Sequence, residues 1–371
     1  MTTAQVDRSF WRGKRVFLTG HTGFKGSWLS LWLKSVGANV TGYALRPNTR
    51  PNLYDALGVE ALIDKSILAD IRDLDRVRKE MIDAAPDVVI HMAAQPLVRY
   101  SYSNPVETYA TNVMGTVNVL ESMRGVESIR ATLVVTTDKC YENKEWVWGY
   151  RENDSLGGRD PYSNSKGCAE MVASAYRASY FANQPNGNCI ATARAGNVIG
   201  GGDWSADRLI PDILRSIESN DVLKVRNPLA TRPWQHVLEP LAGYLMLAQA
   251  LYANGPEFSN AWNFGPQDSD VRSVGDVIEL FSQSLGKSIS WANDGDKNLH
   301  EANVLKLDCS KSKTRLGWLP IWSLEMAINK IIEWNSAYQQ DISNIQDFSL
   351  MQIDSFEKQR LSAIKNKRGN L

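Results

Sequence analysis

The chain has 371 residues, 43% of them hydrophobic, enough for a large core in two domains or in one domain with a sizeable lobe. Lys and Arg balance Asp and Glu at 41 each, which excludes the broad basic field that holds nucleic acid, so any anion must be gripped locally. The cysteines Cys140, Cys168, Cys189 and Cys309 have neither metal-ligand spacing nor a paired framework, and no run has the length of a membrane span or the apolar core of a signal peptide; reduced thiols, no metal, no membrane and a cytoplasmic location are expected.

The first predicted elements lie in RVFLTGHTGFKGSWLSLWLKSVGANVTGYAL. Val16 to Leu18 read as a buried strand, Ser27 to Val36 carry helical apolar spacing, and Val40 to Ala44 read as a second strand. Gly20, Gly23 and Gly26 form GxxGxxG at the strand-to-helix turn, with Phe24 and Lys25 inside it. Missing side chains there let the backbone approach a pyrophosphate at a helix N-terminus. A tight turn and helix-strand packing would call for the same glycines; the strand before and the helix after favour the nucleotide.

Further strands are expected near Ala61 to Leu68, Asp87 to Ala94, Ala131 to Thr137 and Cys189 to Gly200, with helices at Leu74 to Ala84, Tyr109 to Met123 and Asn164 to Phe181. This alternation predicts an α/β fold with a Rossmann-type doubly wound parallel sheet, ligands at the carboxyl ends of the strands, and a smaller C-terminal lobe. Asp70, beside Ile71 in LADIRD, stands where an adenine is contacted, or else caps a helix. Ala93 and Ala94 end the fourth strand and leave room for a ribose, or simply pack. After the second strand, GYALRP lacks the acidic residue that binds a 2′-hydroxyl, and Arg46 could meet a 2′-phosphate, so NADP stays open beside NAD.

The densest chemistry lies in VVTTDKCYEN and YSNSK, which can bring Thr137, Asp138, Lys139, Tyr162 and Lys166 together. A lysine four residues after a tyrosine shares its helix face, so the ammonium is expected to lower the phenol pKa and make Tyr162 a base. The Asp-Lys pair adds groups that hydride transfer alone does not need. The loop from Tyr141 to Pro161, with Trp146, Trp148 and Tyr150, is long enough to cover the site.

TGHTGFKG, ADIRD, HMAAQP, TNVMGTVNVLE, the Thr-Asp-Lys triplet, YSNSK, RAGNVIGGGDW, TRPWQHVLEPL, WNFGP and LDCSKSKTRLGWLP together resemble the extended short-chain dehydrogenase/reductase family, and within it the nucleotide-sugar 4,6-dehydratases. The Asp-Lys pair is similar to the branch acting on CDP-glucose, whereas dTDP-glucose and GDP-mannose dehydratases usually carry Asp-Glu there and sugar 4-epimerases small or neutral residues. The resemblance implies a hydro-lyase using recycled NAD: oxidation at carbon 4, loss of water across carbons 5 and 6, and hydride return, giving a 4-keto-6-deoxy CDP-sugar for dideoxyhexose and O-antigen synthesis. It makes Tyr162 the base, Thr137 its hydrogen-bonding partner and Asp138 the acid for the departing hydroxyl. Lys139 is either the base at carbon 5 or, left charged, the stabiliser of the enolate, and Tyr162 and Lys166 also meet the cofactor.

The same resemblance makes Asn197, Arg208, Arg226 and Arg232 candidate contacts to the substrate diphosphate and sugar. Trp204 and Trp234 either stack on the ligand or pack in the core. The expected domains are 1–195 with 236–265 for the dinucleotide, 196–235 with 266–340 for the nucleotide sugar, and a polar C-terminal tail from 341 to 371, a solvated helix or a fraying end. Relatives pair through helices matching Tyr109 to Met123 and Asn164 to Phe181, which implies a homodimer or homotetramer.

Overall fold

The computed structural model describes residues 5–181, 187–294 and 302–369. Strands β1 (Arg15–Thr19), β2 (Asn39–Ala44), β3 (Lys65–Leu68), β4 (Val88–His91), β5 (Ala131–Val135), β6 (Cys189–Ala195) and β7 (Ala261–Phe264) form one sheet in the order β7-β6-β5-β4-β1-β2-β3. Every neighbouring pair is parallel. The order reverses between β1 and β4, and there the carboxyl ends open a crevice. β4 and β5 are buried along their whole length, as continuous apolar runs require when helices cover both faces.

Helices α1 (Phe24–Ser35), α2 (Leu74–Ala84), α3 (Gly115–Ser122), α4 (Pro161–Tyr176), α5 (Leu209–Ser219) and α6 (Leu238–Asn254) follow in chain order. Trp28 and Trp32 of α1 and Leu241 and Leu245 of α6 share the core on one face. Val77 and Met81 of α2, Val119 and Leu120 of α3 and Ala173 of α4 pack on the other. The sheet is thereby sandwiched, the architecture the strand-helix alternation implies. A third cluster joins Ile213 of α5, Val277 and Phe281 of α7 (Val274–Leu285) and Ile328 of α8 (Leu324–Gln340). Beside it run two short ladders, Leu223–Val225 with Trp291–Asn293 and Thr231–Pro233 with Val271–Ser273.

Several expected boundaries move. Residues Val59–Leu62 form a helical turn, entered through Gly58 in the left-handed region, so β3 begins only at Lys65. The expected strand to Gly200 ends at Ala195; Val198–Ile199 pairs instead with Gln235–His236. A side chain at Gly196 would stand 2.5 Å from Pro233 Cγ, so the chain passes close against the Thr231–Pro233 strand. α1 starts at Phe24, and α4 starts at Pro161 with Asp160 as its N-cap, which puts Tyr162 in the first turn. The helix expected from Tyr109 is broken by a π turn over Ala110–Met114 before α3. Asp73, and not Asp70, caps α2 by accepting from Arg76 N. β4 ends at His91, so Ala93 and Ala94 follow the strand and do not close it.

The largest correction concerns the expected solvated tail. Ile345–Gly369 is a helix, α9, that buries Ile345, Ile353 and Phe356 against α1 and α8. The Phe356 ring meets Trp32 edge-on at 5.9 Å and Trp322 at 5.1 Å. Glu357 accepts from Trp32 Nε1 at 2.7 Å and pairs with Arg8 at 2.6 Å, while Arg360 donates to the Leu319 carbonyl at 2.8 Å.

Candidate active site

The glycine turn is built as close approach demands. Gly20 has φ +79°, and a side chain on it would strike the Ala93 backbone at 2.8 Å; one on Gly26 would stand 2.0 Å from the Gly20 carbonyl oxygen. Gly23 differs: its added Cβ would meet nothing nearer than the same oxygen at 3.5 Å. Packing alone therefore does not demand glycine at 23, and the open space before it suits an approaching ligand. Gly23 N-caps α1 without a side-chain hydrogen bond, and no acidic residue stands in the first turn. The free N–H groups and positive end of the helix face the crevice, a fit to an anionic dinucleotide bridge.

Beside this turn a cleft of about 350 Å³ opens at the ends of β5 and β6. Its wall brings together Phe24, Lys25, Thr137, Asp138, Lys139, Tyr162, Asn197, Arg208, Arg226 and Arg232. Asp70, Ile71, Ala93 and Ala94 are not among the lining residues; they lie past β3 and β4. The Asp70 carboxylate is held by Arg72 at 2.5 Å, and Ala93 N donates to Thr19 Oγ1 at 3.0 Å.

Where β5 ends, Thr137 caps a 3₁₀ turn over Asp138–Cys140. Its hydroxyl donates to Asp138 Oδ1 at 3.0 Å and accepts from Lys139 N at 3.3 Å. Asp138 is 1% exposed, and its Oδ2 has no hydrogen-bond partner. Lys139 Nζ stands 3.9 Å from Asp138 Oδ1 and 3.4 Å from Asn197 Oδ1. The Asp-Lys pair thus faces the cleft.

Tyr162 lines the same space from α4, whereas Lys166, one turn on, is not among the lining residues; both are buried. Burial pushes the phenol up to about 12; the hydrogen bond with Thr137 opposes this, Asp138 adds to it, and the Arg208 charge opposes it. The expectation of a phenol lowered by its lysine is therefore not met in the chain by itself. Lys166 spends its Nζ on the Val135 carbonyl at 3.1 Å, and burial drives the ammonium down to about 8. Lys25 is likewise pushed down to about 7 by burial, with Lys166 and Arg208 adding to the fall.

The arginines are held in place by carboxylates and carbonyls. Arg208, the N-cap of α5, pairs with Asp203 at 2.7 Å, and Arg226 pairs with Asp207 at 3.1 Å. Arg232 is buried and donates to the Thr231 carbonyl at 3.0 Å. Cationic side chains outnumber carboxylates along the cleft although the whole chain is neutral. Asp207, at φ +59°, also reaches Arg99 at 3.7 Å, two residues that the sequence reading missed because neither belongs to a motif.

Trp204 packs on Trp334 and Tyr338, away from the lining, whereas Trp234 is buried along the wall with its Nε1 donating to the Arg272 carbonyl. The 141–160 segment contributes Asn143, Gly157 and Gly158 to the wall. Bridges from Tyr141 to Leu156 and from Tyr150 to Leu307 pin it. A hidden phenol and ammonium, a carboxyl with a spare oxygen, a lysine and anchored arginines suit proton transfer on an anionic polyol.

A family model described as GDP-mannose 4,6 dehydratase matches residues 17–331. CDP-glucose 4,6-dehydratase of Salmonella typhimurium is 55% identical over 336 residues, covering 90% of this chain and 93% of that protein. Among solved structures, a UDP-glucose 4-epimerase from Stenotrophomonas maltophila with bound NAD and formylated UDP-arabinopyranose matches with a TM-score of 0.76 and 21% identity, over 88% of this chain and 99% of that one. The NAD complex of dTDP-glucose 4,6-dehydratase from Bacillus anthracis matches with a TM-score of 0.71 and 20% identity, over 88% and 97%. At those identities the two structures speak for the fold.

Proposed function

Because the chain belongs to the GDP-mannose 4,6-dehydratase family, we propose that it is a hydro-lyase converting CDP-glucose to CDP-4-keto-6-deoxyglucose with recycled NAD. The observation that carries this reading is the Asp138 carboxyl, buried beside Tyr162 and Lys139 with Oδ2 unpartnered, where a substrate hydroxyl would satisfy it. The cytidine assignment draws on the Salmonella relative and on the Asp138-Lys139 pair.

The glycine turn and α1 N-terminus would hold the dinucleotide, with Lys166 at its nicotinamide ribose. When bound there, an oxidised nicotinamide supplies a hydride acceptor that later returns the hydride. Tyr162 Oη takes the proton of the 4-hydroxyl, and Thr137 Oγ1 hydrogen-bonds the reacting oxygen. The ketone at carbon 4 acidifies the hydrogen on carbon 5. Lys139 Nζ then removes that proton or stabilises the enolate, and Asp138 gives a proton to the departing 6-hydroxyl. Arg208, Arg226 and Arg232 grip the diphosphate, with Asn197 orienting it or the sugar. The 141–160 segment keeps water from the site.

Among the described residues no helix is long and apolar enough to cross a membrane, and a cytoplasmic enzyme is the corresponding reading. Val106, Met114 and Met171 stand 82%, 51% and 55% exposed on the helices around α3 and α4, which favours a homodimer formed through that face. The test is incubation with NAD and CDP-, dTDP-, UDP- or GDP-sugar, followed by mass spectrometry. Loss of one water from CDP-glucose with no net change in NAD is expected. Dehydration of dTDP-glucose alone would overturn the cytidine assignment, and epimerisation with oxygen 6 retained would overturn the reaction.

A further inference from the structure

Glu170 lies one turn beyond Lys166 on α4, 4% exposed, and has no part in the chemistry above. It accepts a hydrogen bond from Thr136 Oγ1, and its Oε2 accepts from Thr192 Oγ1 at 2.6 Å and Arg194 Nη2 at 2.8 Å. Arg194, 3% exposed, carries the tie onward: Nη1 donates to Tyr141 Oη at 2.8 Å and to the Glu152 carbonyl at 3.1 Å. Tyr141 Oη donates in turn to Asn263 Oδ1 at 2.7 Å, its ring stacks on Tyr150, and Tyr150 stacks on Trp146. One carboxylate therefore joins the helix of Tyr162 and Lys166, the residue just before Thr137, and the segment that walls the cleft.

Two apolar side chains of similar volume would fill the same space without desolvating an ion pair, although they would leave the Thr136 and Thr192 hydroxyls without this acceptor. The charge has a use nearby. Lys166 is faced by Glu170 on its own helix, Lys25 from α1, His91 from β4 and Cys140 after β5. Burial lowers the Lys166 ammonium, and Glu170 is the largest influence opposing that fall. Around Glu170 itself stand Arg194 on β6, Arg177 after α4 and Cys140.

We propose that Glu170 is a positioning residue for the reaction: paired with Arg194, it fixes Lys166 and the Thr136-Thr137 strand end against Tyr162 and latches the 141–160 segment to both. The inference takes the roles of Tyr162 and Lys166 from the dehydratase reading. Two variants separate positioning from mere structure. Glu170→Gln keeps the shape and removes the charge. Glu170→Met with Arg194→Met removes both charges and fills the space with apolar side chains, so no buried charge is left unpaired while Lys166 stays without its carboxylate.

In protein labelled with ¹³C at lysine Cε, with the Lys166 signal identified by its loss in Lys166→Arg, the parent midpoint near 8 should fall in Glu170→Gln by on the order of one pH unit and by less in the double variant, which also removes the opposing Arg194 charge. The alkaline limb of kcat/KM should move down with it, and kcat at pH 8 should drop about tenfold with KM little changed. The double variant should melt at a higher temperature than Glu170→Gln, whose buried Arg194 is left unpaired, without regaining the limb. A stable double variant with the parent's lysine midpoint, limb and kcat overturns the proposal and leaves the pair a packing device. If the parent itself dehydrates no nucleotide sugar, the functional reading fails, and the lysine titration still decides whether Glu170 governs Lys166.

Discussion

Asp138→Asn separates oxidation from elimination. The amide keeps the volume of a side chain that is 1% exposed and can still accept at Oδ1 from the Thr137 hydroxyl at 3.0 Å, so the wall of the cleft should stay as it is. Lys139 loses an anion 3.9 Å from its Nζ, but its side chain is 28% exposed and remains solvated, so the change there is small. What disappears is the proton for the departing hydroxyl. General acid catalysis contributes about 10² to 10⁴ in rate, so elimination should slow by that factor, about 3 to 5 kcal/mol of barrier. Oxidation, for which Tyr162 is the proposed base, should stay within about tenfold of the parent. Reduced nicotinamide should then build up in stopped-flow absorbance while mass spectrometry finds little loss of water. Lys139→Met should slow deuterium wash-in at carbon 5. Equal loss of both steps in Asp138→Asn, or parental exchange in Lys139→Met, would refute the division of labour.

Tyr162→Phe, which keeps the ring and its packing, should lower kcat by about 10² to 10⁴ with binding little affected; near-parental turnover in a variant folded by circular dichroism removes the tyrosine from catalysis. Gly23→Ala should fold and bind NAD at least about tenfold more weakly, by calorimetry, because its methyl enters ligand space, whereas Gly26→Ala, 2.0 Å from the Gly20 oxygen, should lose soluble folded protein; equal behaviour of the two would contradict the cradle. Burial holds His21 near 4 and His91 and His236 near 3, so their stabilisation is full above about pH 6.5 and lost as the pH falls toward those values. Glu239, raised to about 7 by burial, runs the other way between about 4.5 and 7 and offsets one proton, leaving a loss approaching 3 kcal/mol per pH unit below pH 6; a thermal midpoint flat from pH 6.5 to 5 would exclude this. Phe356→Ala should cost about 3 to 5 kcal/mol in urea unfolding, and under 1 kcal/mol would mean that α9 is not part of the core.

The sheet and the glycine turn were legible because their signals are local. β1, β4 and β5 are apolar runs that only a doubly covered sheet can bury, and strand-glycine-helix is a contiguous pattern. The helix α9 was not legible as core because Ile345, Ile353 and Phe356 are sparse in a polar stretch and become an apolar stripe only against Trp32 and Trp322. Short-range exceptions moved other boundaries, as with the left-handed Gly58 that turns the chain into a helix where a strand was expected. Charge states were the least readable of all. YxxxK predicts two groups on one face, and they are, but burial reverses the expected shift of the phenol. Glu170 carried one usable signal, its place four residues after Lys166, while its partner Arg194 is distant in sequence and adjacent only where α4 packs on β6.

The turn after β5 explains how one small site can address several atoms of a sugar. A strand presents successive side chains to opposite faces, so Thr137, Asp138 and Lys139 on a continued β5 could not all face the same ligand. The 3₁₀ turn that begins at Asp138 has three residues per turn, so successive side chains fan out by about 120°. Thr137, extended at φ −150°, donates to Asp138 Oδ1, while Asp138 is 1% exposed and Lys139 reaches across to Asn197. Changing the backbone from strand to tight turn at this point lets consecutive residues approach different atoms of one bound ring. Those residues have little freedom to adjust, so their alignment with Tyr162 must come from outside the turn, through the helix face of α4 and the residue before Thr137. That is where Glu170 makes its hydrogen bonds to Thr136 and, through Arg194, to the wall of the cleft.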